Sequence, residues 1–330
     1  MMTTQMKKIP FSPPDISDLE IQEVVAALKS GWITTGPRTK ELERRIAKQV
    51  GVNKCVCLNS QTACAEMALH VLGVGAGDEV ITCAYTYTAS ASVIAHVGAK
   101  IVLVDSQKDN PQMDYQALEK AVTEKTKAII PVHLFSAVAD MPKIMEIARK
   151  HNLYVIEDCA HAHGAKQKNI GVGSWGHYGS FSFQSSKLMT GGEGGCCTAN
   201  DEELFDRVYR ASHIGTSMLH PQIMPEEGFI CHQYRFTEFQ GGVIYEQLLH
   251  QDELKAKREK SMQLLSAKIK NTPGVKLQKS SYEDDERVYY FPTILLDFNE
   301  LAENVTRDDV MKALQAEGID FNIGWGFPLY

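Results

Sequence analysis

Through its first two-thirds the chain alternates short, apolar, strand-like runs with helix-length runs, and this alternation constrains the fold more than any other feature. It predicts strands over Lys54–Leu58, Glu79–Thr82, Lys100–Val104, Ala128–Val132, Leu153–Glu157, Gly179–Phe183 and Gly195–Thr198. Their β-branched and aromatic content, without regular polar alternation, predicts burial on both faces. Helices are predicted over Thr62–Val71, Tyr115–Val122 and Met141–Lys150, the last opened by Asp140 with Pro142 in its first turn. Strands joined by helices require right-handed crossovers. The predicted class is therefore α/β, with a large, mostly parallel sheet flanked by helices.

The pattern changes near residue 237. Thr237 and Gln240 fit a capping box, followed by one long helix to about Ile269 that Pro273 and Gly274 end. A strand over Val288–Leu296, a helix after Thr306 with Asp309 at the box position, and a strand over Asp320–Ile323 make a smaller α+β domain. The expected division is a large domain over 12–236 and a small C-terminal one over 237–330.

Composition narrows the partners. The 330 residues are 44% apolar and 23% charged, which excludes a disordered or collagen-like chain. Thirty-four basic against 41 acidic residues leave a net charge of −7, so no basic field favours nucleic acid. No run approaches the roughly 20 apolar residues of a membrane span, and the N-terminus lacks the apolar core of a secretory signal. The eight cysteines show neither C-x-x-C nor zinc spacing. They read as reduced, buried thiols of a cytoplasmic protein, with no metal site.

Ligands of open α/β sheets sit beyond the carboxyl ends of strands, so the residues after each strand carry the chemistry. Asn59-Ser60-Gln61-Thr62 opens a helix. Its N–H groups and hydroxyls can hold a phosphate, or Ser60 can simply cap the helix. Asp158 ends a buried strand, where a carboxylate needs a partner: a cap, an ion pair, or a protonated ring nitrogen. Lys187 follows Gln184-Ser185-Ser186 and precedes the glycine-rich Gly191–Gly195. It is either a solvated surface lysine or a partly desolvated amine, with a pKa below about 10.4, suited to a Schiff base.

A phosphate cup, a strand-end Asp and a Lys behind a Ser-bearing strand, in that order, resemble the pyridoxal-phosphate enzymes of the aspartate-aminotransferase fold. Within that fold the chain is similar to the DegT/DnrJ/StrS-type sugar aminotransferases. The matching stretches are Gly31–Pro37, Asn59–Ala63, Gly77–Ile81, Tyr85–Tyr87, Thr126–His133, Ile156–Asp158, His163–Ala165, Phe181–Phe183, Lys187 and Gly192–Gly195. The resemblance runs from about Phe11 to the last residue. His161–Gly164 and Phe183–Thr190 resemble the branch that acts on keto-cyclitols and the amino-hydroxybenzoate synthases.

The resemblance implies a set of roles. Lys187 would form the Schiff base and then move a proton, and Asp158 would keep the pyridine nitrogen protonated. Tyr87 would stack on the ring, and His161 would lie beside its hydroxyl. Ser60, Gln61, Thr62 and Ser182 would hold the phosphate, while His133 and His163 would support the site. Gln61 stands where many relatives have Gly, which constrains the phosphate turn. Gln233 stands where relatives place an Asn that reaches the neighbouring subunit's cofactor phosphate. Arg235 and Thr35 would meet substrate. The implied protein is a homodimer with a shared active site. It would pass an amino group from glutamate or glutamine to a keto-sugar or keto-cyclitol. A dehydrating or aromatising synthase of the amino-hydroxybenzoate type, or a catalytically idle binding homologue, are the alternatives. Relatives continue past the segment resembled by Gly324–Tyr330. The small domain is thus expected to be incomplete, with Trp325, Phe327 and Tyr330 uncovered.

Overall fold

The computed structural model describes residues 8–108, 110–222, 229–278, 285–324 and 328–329. The chain opens with α1 (Asp18–Ser30) and α2 (Pro37–Val50). Ser17 and Glu20 close α1 as a capping box, and Gly31, at φ 74°, ends it in the left-handed conformation that favours glycine. Then come β1 (Lys54–Leu58), α3 (Gln61–Val71), β2 (Glu79–Cys83), α4 (Ala89–His96) and β3 (Lys100–Val104). A ribbon of β4 (Ser106–Gln107) and β5 (Asn110–Met113) precedes α5 (Tyr115–Ala121), β6 (Thr126–Ile130), α6 (Met141–His151) and β7 (Tyr154–Asp158). A second ribbon, β8 (Lys166–Gln167) and β9 (Ile170–Gly171), leads to β10 (Tyr178–Ser182), β11 (Gly195–Ala199) and α7 (Glu202–Ser212). The last elements are α8 (Glu238–Leu249), α9 (Gln251–Ile269), β12 (Val275–Leu277), β13 (Ile294–Leu296) and α10 (Arg307–Ala316).

Seven strands form one sheet in the order β1-β11-β10-β7-β6-β2-β3. Only β11 runs against its neighbours; the other pairings are parallel. Val56, Ile130, Ile156 and Cys197 face a core shared with Met67 of α3, Ile94 of α4 and Phe205 of α7. The opposite face packs Cys57, Phe181 and Cys196 against Leu42 and Ile46 of α2. It also packs Ile129 and Val155 against Leu118 of α5 and Ile144 of α6. All seven predicted strands exist. Burial on both faces fails at β3, the sheet edge, where Lys100 is exposed and Ile101–Leu103 are only half-buried. The strand predicted at Ala128–Val132 starts at Thr126 and ends at Ile130, because Pro131 has no N–H for the ladder.

The later segment differs more from its expectations. The long helix is two, α8 and α9, broken at His250. Gln251 is buried there and donates to the carbonyl of His163 at 2.9 Å, a tertiary contact that local propensity does not encode. Thr237 forms no capping box. Its hydroxyl bonds the side-chain oxygen of Gln240, whose amide donates to the Glu193 carbonyl at 3.0 Å. The box at Thr306 and Asp309 does form. Of the strand predicted over Val288–Leu296, only Ile294–Leu296 pairs, antiparallel to β12. The run Asp320–Ile323 is not a strand; beside it, Ile319 makes a single bridge to Ile9. Trp325, Phe327 and Tyr330 lie outside the described residues. Among the described residues no helix is long and apolar enough to cross a membrane.

Candidate active site

Strand register brings the chemistry to one edge of the sheet. Asp158, the last residue of β7, pairs with Ser180 of β10. Two residues on, Ser182 pairs with Gly195 of β11, and Gly195 also pairs with Leu58 at the end of β1. A bridge from Gly194 to Ser60 then joins this edge to the start of α3. A carboxylate, two serine hydroxyls and the N-terminus of an 11-residue helix therefore share the carboxyl end of the parallel strands.

Asp158 is 5% exposed. Its carboxylate accepts from the Ser90 hydroxyl at 2.9 Å and the Ala160 N–H at 3.1 Å. Burial raises its pKa, against the pull of those two donors and of the Lys187 cation. Lys187 lies in the turn after β10, where its N–H donates to the Gln184 carbonyl at 2.9 Å. Its half-buried amine sits 4.9 Å from the ring centroid of Tyr290. Burial pulls the amine down to about 8, and Asp158 opposes that shift. A lysine in this state carries an appreciable neutral fraction near neutral pH, which a nucleophilic amine requires.

Three histidines divide the supporting work. The Nδ1 of His161 accepts the Phe135 N–H at 3.3 Å, and its ring stacks on Phe135 at 5.8 Å between centroids. Burial, aided by the Lys187 cation, holds this imidazole well below its ordinary pKa. His163 is 2% exposed and brought down to about 3, mainly by burial. Neither of its ring nitrogens has a hydrogen-bond partner among the described residues. His133 is wholly buried and structural. Its Nδ1 accepts from Ala139 N at 3.1 Å, and its Nε2 lies 3.1 Å from Glu157. Glu157 also accepts three backbone N–H groups, from Gly173, Trp175 and Gly176. The buried carboxylate thus braces β7 one residue before Asp158.

The remaining sequence-predicted residues fall in distinct places. Ser60 caps α3, accepting from Ala63 N at 3.1 Å. Gln61 is 6% exposed and turns its amide into the sheet to donate to Ser180 at 3.0 Å. Its backbone, not its side chain, belongs to the helix N-terminus. Thr62 is half-buried beside it, and Ser182 accepts from Gln184 N at 3.4 Å. Tyr87 is 59% exposed just before α4. Gln233 and Arg235 are exposed on an extended segment bridged to His213 and Leu58. Thr35 donates to the Phe236 carbonyl at 2.8 Å. Sequence reasoning missed Ser90, Phe135 and Tyr290. The aromatic run Tyr289-Tyr290-Phe291 was the available signal for the last of these, but it reads equally as a strand.

Gly195 keeps the edge tight, since an added Cβ would strike the backbone of Ser60, Gln61 and Phe181. Gly195→Ala is expected to destabilise the protein by about 2–3 kcal/mol, and the substitution should also push α3 off the strand ends. Thermal unfolding measures the first effect. Unchanged stability would mean that the edge has more room than the backbone spacing gives it.

The model of the DegT/DnrJ/EryC1/StrS aminotransferase family matches residues 14–330. The chain is 36% identical to a provisionally named L-glutamine:3-amino-2,3-dideoxy-scyllo-inosose aminotransferase of Streptoalloteichus tenebrarius, covering 96% of this chain and 77% of that one. It is 34% identical to the spore coat polysaccharide biosynthesis protein SpsC of Bacillus subtilis, covering 96% and 82%. Among solved structures it resembles the provisionally named sugar aminotransferase Spr1654 from Streptococcus pneumoniae, with TM-score 0.88 and 35% identity. That match covers 97% of this chain and 84% of the other in its PMP form; a PLP form is also known. The family match and the fold make the chain a pyridoxal-phosphate-dependent aminotransferase with the aspartate-aminotransferase-like fold. The chain belongs to the DegT/DnrJ/EryC1/StrS aminotransferase family.

The residues present fit that cofactor. A buried carboxylate faces the site from β7, and an amine with a depressed pKa lies within its electrostatic reach. The α3 N-terminus is held against glycines that leave no room for a side chain at residue 195.

Proposed function

We propose that this chain moves an amino group from glutamate or glutamine to the keto group of a nucleotide-linked sugar or a cyclitol. The observation that carries the reading is the Asp158–Lys187 pair at the carboxyl edge of the sheet, beside the α3 N-terminus. Bound pyridoxal phosphate supplies the electron sink that lets a hydrogen leave the donor's α-carbon as a proton. The chain's residues do the rest. Lys187 would hold the cofactor covalently and, as a neutral amine, would move that proton. Asp158 keeps a proton on the ring nitrogen. The α3 N-terminus, with Ser60, Gln61, Thr62 and Ser182, binds the phosphate. Tyr87 and His161 would line the place of the cofactor ring. Thr35 and Arg235 contact substrate. The name of the Streptoalloteichus relative supports glutamine as donor and a cyclitol as acceptor. The chain divides into domains over 12–236 and 237–330 and works in the cytoplasm, where its cysteines stay free thiols.

A single-turnover experiment tests the reading. The cofactor-loaded protein is mixed with glutamate or glutamine, and the visible band of the lysine-linked cofactor is followed. Its loss, and its return on adding a keto-cyclitol or a nucleotide-linked keto-sugar, is the expected result. A band that neither donor bleaches would contradict it.

The functional unit we propose is a homodimer with a shared site, supported by the exposed Gln233 and Arg235. Mixing an inactive Lys187→Ala chain with an inactive Gln233→Ala chain is expected to restore part of the activity, because one site per hybrid is intact. Hybrids that form without any recovery would place both residues in the same subunit's site.

A further inference from the structure

Tyr290 comes from the segment before β13, far from Lys187 in sequence, yet it meets the lysine amine, Ser186 and His161. The face of its ring lies 4.9 Å from the Lys187 amine, within the range in which a cation is drawn to an aromatic face. Its hydroxyl lies 2.8 Å from the Ser186 hydroxyl, on the residue that precedes the lysine. Its ring centroid is 4.3 Å from that of His161. Ser186 is itself held from two sides, by Gln184 at 2.7–3.0 Å and by the Ser12 hydroxyl donating to its carbonyl at 2.9 Å.

We propose that Tyr290 is a positioning residue for Lys187. Its ring face holds the ammonium form of the amine, and its hydroxyl anchors the turn that carries it through Ser186. The proposal rests on the reading of Lys187 as the reactive amine.

The electrostatics leave room for such a role. Asp158, on β7, is the carboxylate that favours the lysine's charged form. His161 and His163 follow the same strand but are kept neutral by burial, so they do not repel the amine near neutral pH. Burial also raises the Tyr290 hydroxyl pKa, so the ring facing the lysine stays an uncharged phenol. Tyr290 therefore stabilises the charged amine through its ring face, offsetting part of the desolvation that pulls Lys187 down.

Competitive labelling of the full, cofactor-free chain with trace acetic anhydride reads this directly. Acetylation of Lys187, followed by peptide mass spectrometry across pH, is expected to have a midpoint near about 8. Tyr290→Leu keeps the site apolar but removes the face. Its midpoint should fall by about one pH unit. If Tyr290 only packs, its loss admits water, and the midpoint rises toward the ordinary value of about 10.4. The two roles thus move the midpoint in opposite directions, and a rise or no change overturns the proposal. A near-isosteric pair guards against a variant that fails to fold. Tyr290→Phe keeps the ring face and loses only the bond to Ser186, so it should lower the midpoint less than Tyr290→Leu does, and 3,4,5-trifluorophenylalanine at 290 should lower it further than Phe; equal midpoints for the Phe and trifluorophenylalanine variants would also overturn the proposal. Failure of the parent reading is separable. Borohydride reduction of the cofactor-loaded protein that tags a lysine other than Lys187 removes the functional reading, whatever the Tyr290 variants do.

Discussion

Lys187→Ala is expected to lower turnover by at least about 10⁴-fold, because the proposed role gives one side chain both the covalent capture of the cofactor and the proton transfer. Cofactor binding should weaken far less, since the proposed phosphate site, the α3 N-terminus with Ser182, is separate from the lysine. The variant should therefore still retain pyridoxal phosphate on gel filtration while losing the lysine-linked absorption band. Added primary amines should restore part of the activity if the missing group is a base of this size. A variant that turns over within tenfold of the parent would assign the proton transfer to another residue. The wild-type amine also fixes a pH dependence. Its pKa is depressed to about 8, so the neutral, reactive fraction grows as pH rises through that value. Covalent capture of added pyridoxal phosphate by the cofactor-free protein should accelerate over the same window, and a rate that stays flat to pH 9 would contradict the depressed amine.

Asp158→Asn preserves shape and removes charge. The Ala160 N–H can still meet the amide oxygen, and the Ser90 hydroxyl, which now donates to the other carboxylate oxygen, can turn to accept from the amide NH2. What is lost is the anion proposed to keep the ring nitrogen protonated. Electrostatic stabilisation of this kind is worth about 10²- to 10³-fold in rate when one preorganised partner is removed. Turnover should fall by that amount with little change in cofactor affinity, because the interaction matters most where carbanion charge develops. Steady-state kinetics and cofactor titration on the same preparation separate the two. Turnover near that of the parent would reduce Asp158 to a structural strand-end group.

The parts of the site that were legible in the sequence are those set by local chain geometry. Asp158 and Lys187 stand out because each follows a buried strand in a context that requires an explanation for a charged group. Ser60 at the N-cap of α3 and Asp140 at the N-cap of α6 follow the same local logic, and both cap as expected. The parts that were not legible are meetings between distant residues. Ser90 reaches Asp158 across 68 positions, Gln61 reaches Ser180 across 119, and Tyr290 reaches Ser186 across 104. No periodicity marks such pairs, because they depend on how loops from different strands converge after the sheet has formed. The break at His250 has the same origin. Leu248-Leu249-His250-Gln251 continues a helical pattern, and a buried glutamine bonded to the His163 carbonyl decides otherwise. The Val288–Leu296 run shows the complementary error. Its apolar content predicts a strand, but its first half is used to lay Tyr290 and Phe291 against His161 and Phe135.

Borohydride reduction of the loaded wild-type protein, followed by peptide mapping, tests most directly whether Lys187 is the residue to which the cofactor is joined. A single pyridoxyl-modified peptide is expected, with the mass increment on Lys187. Modification of any other lysine, or none, would contradict it.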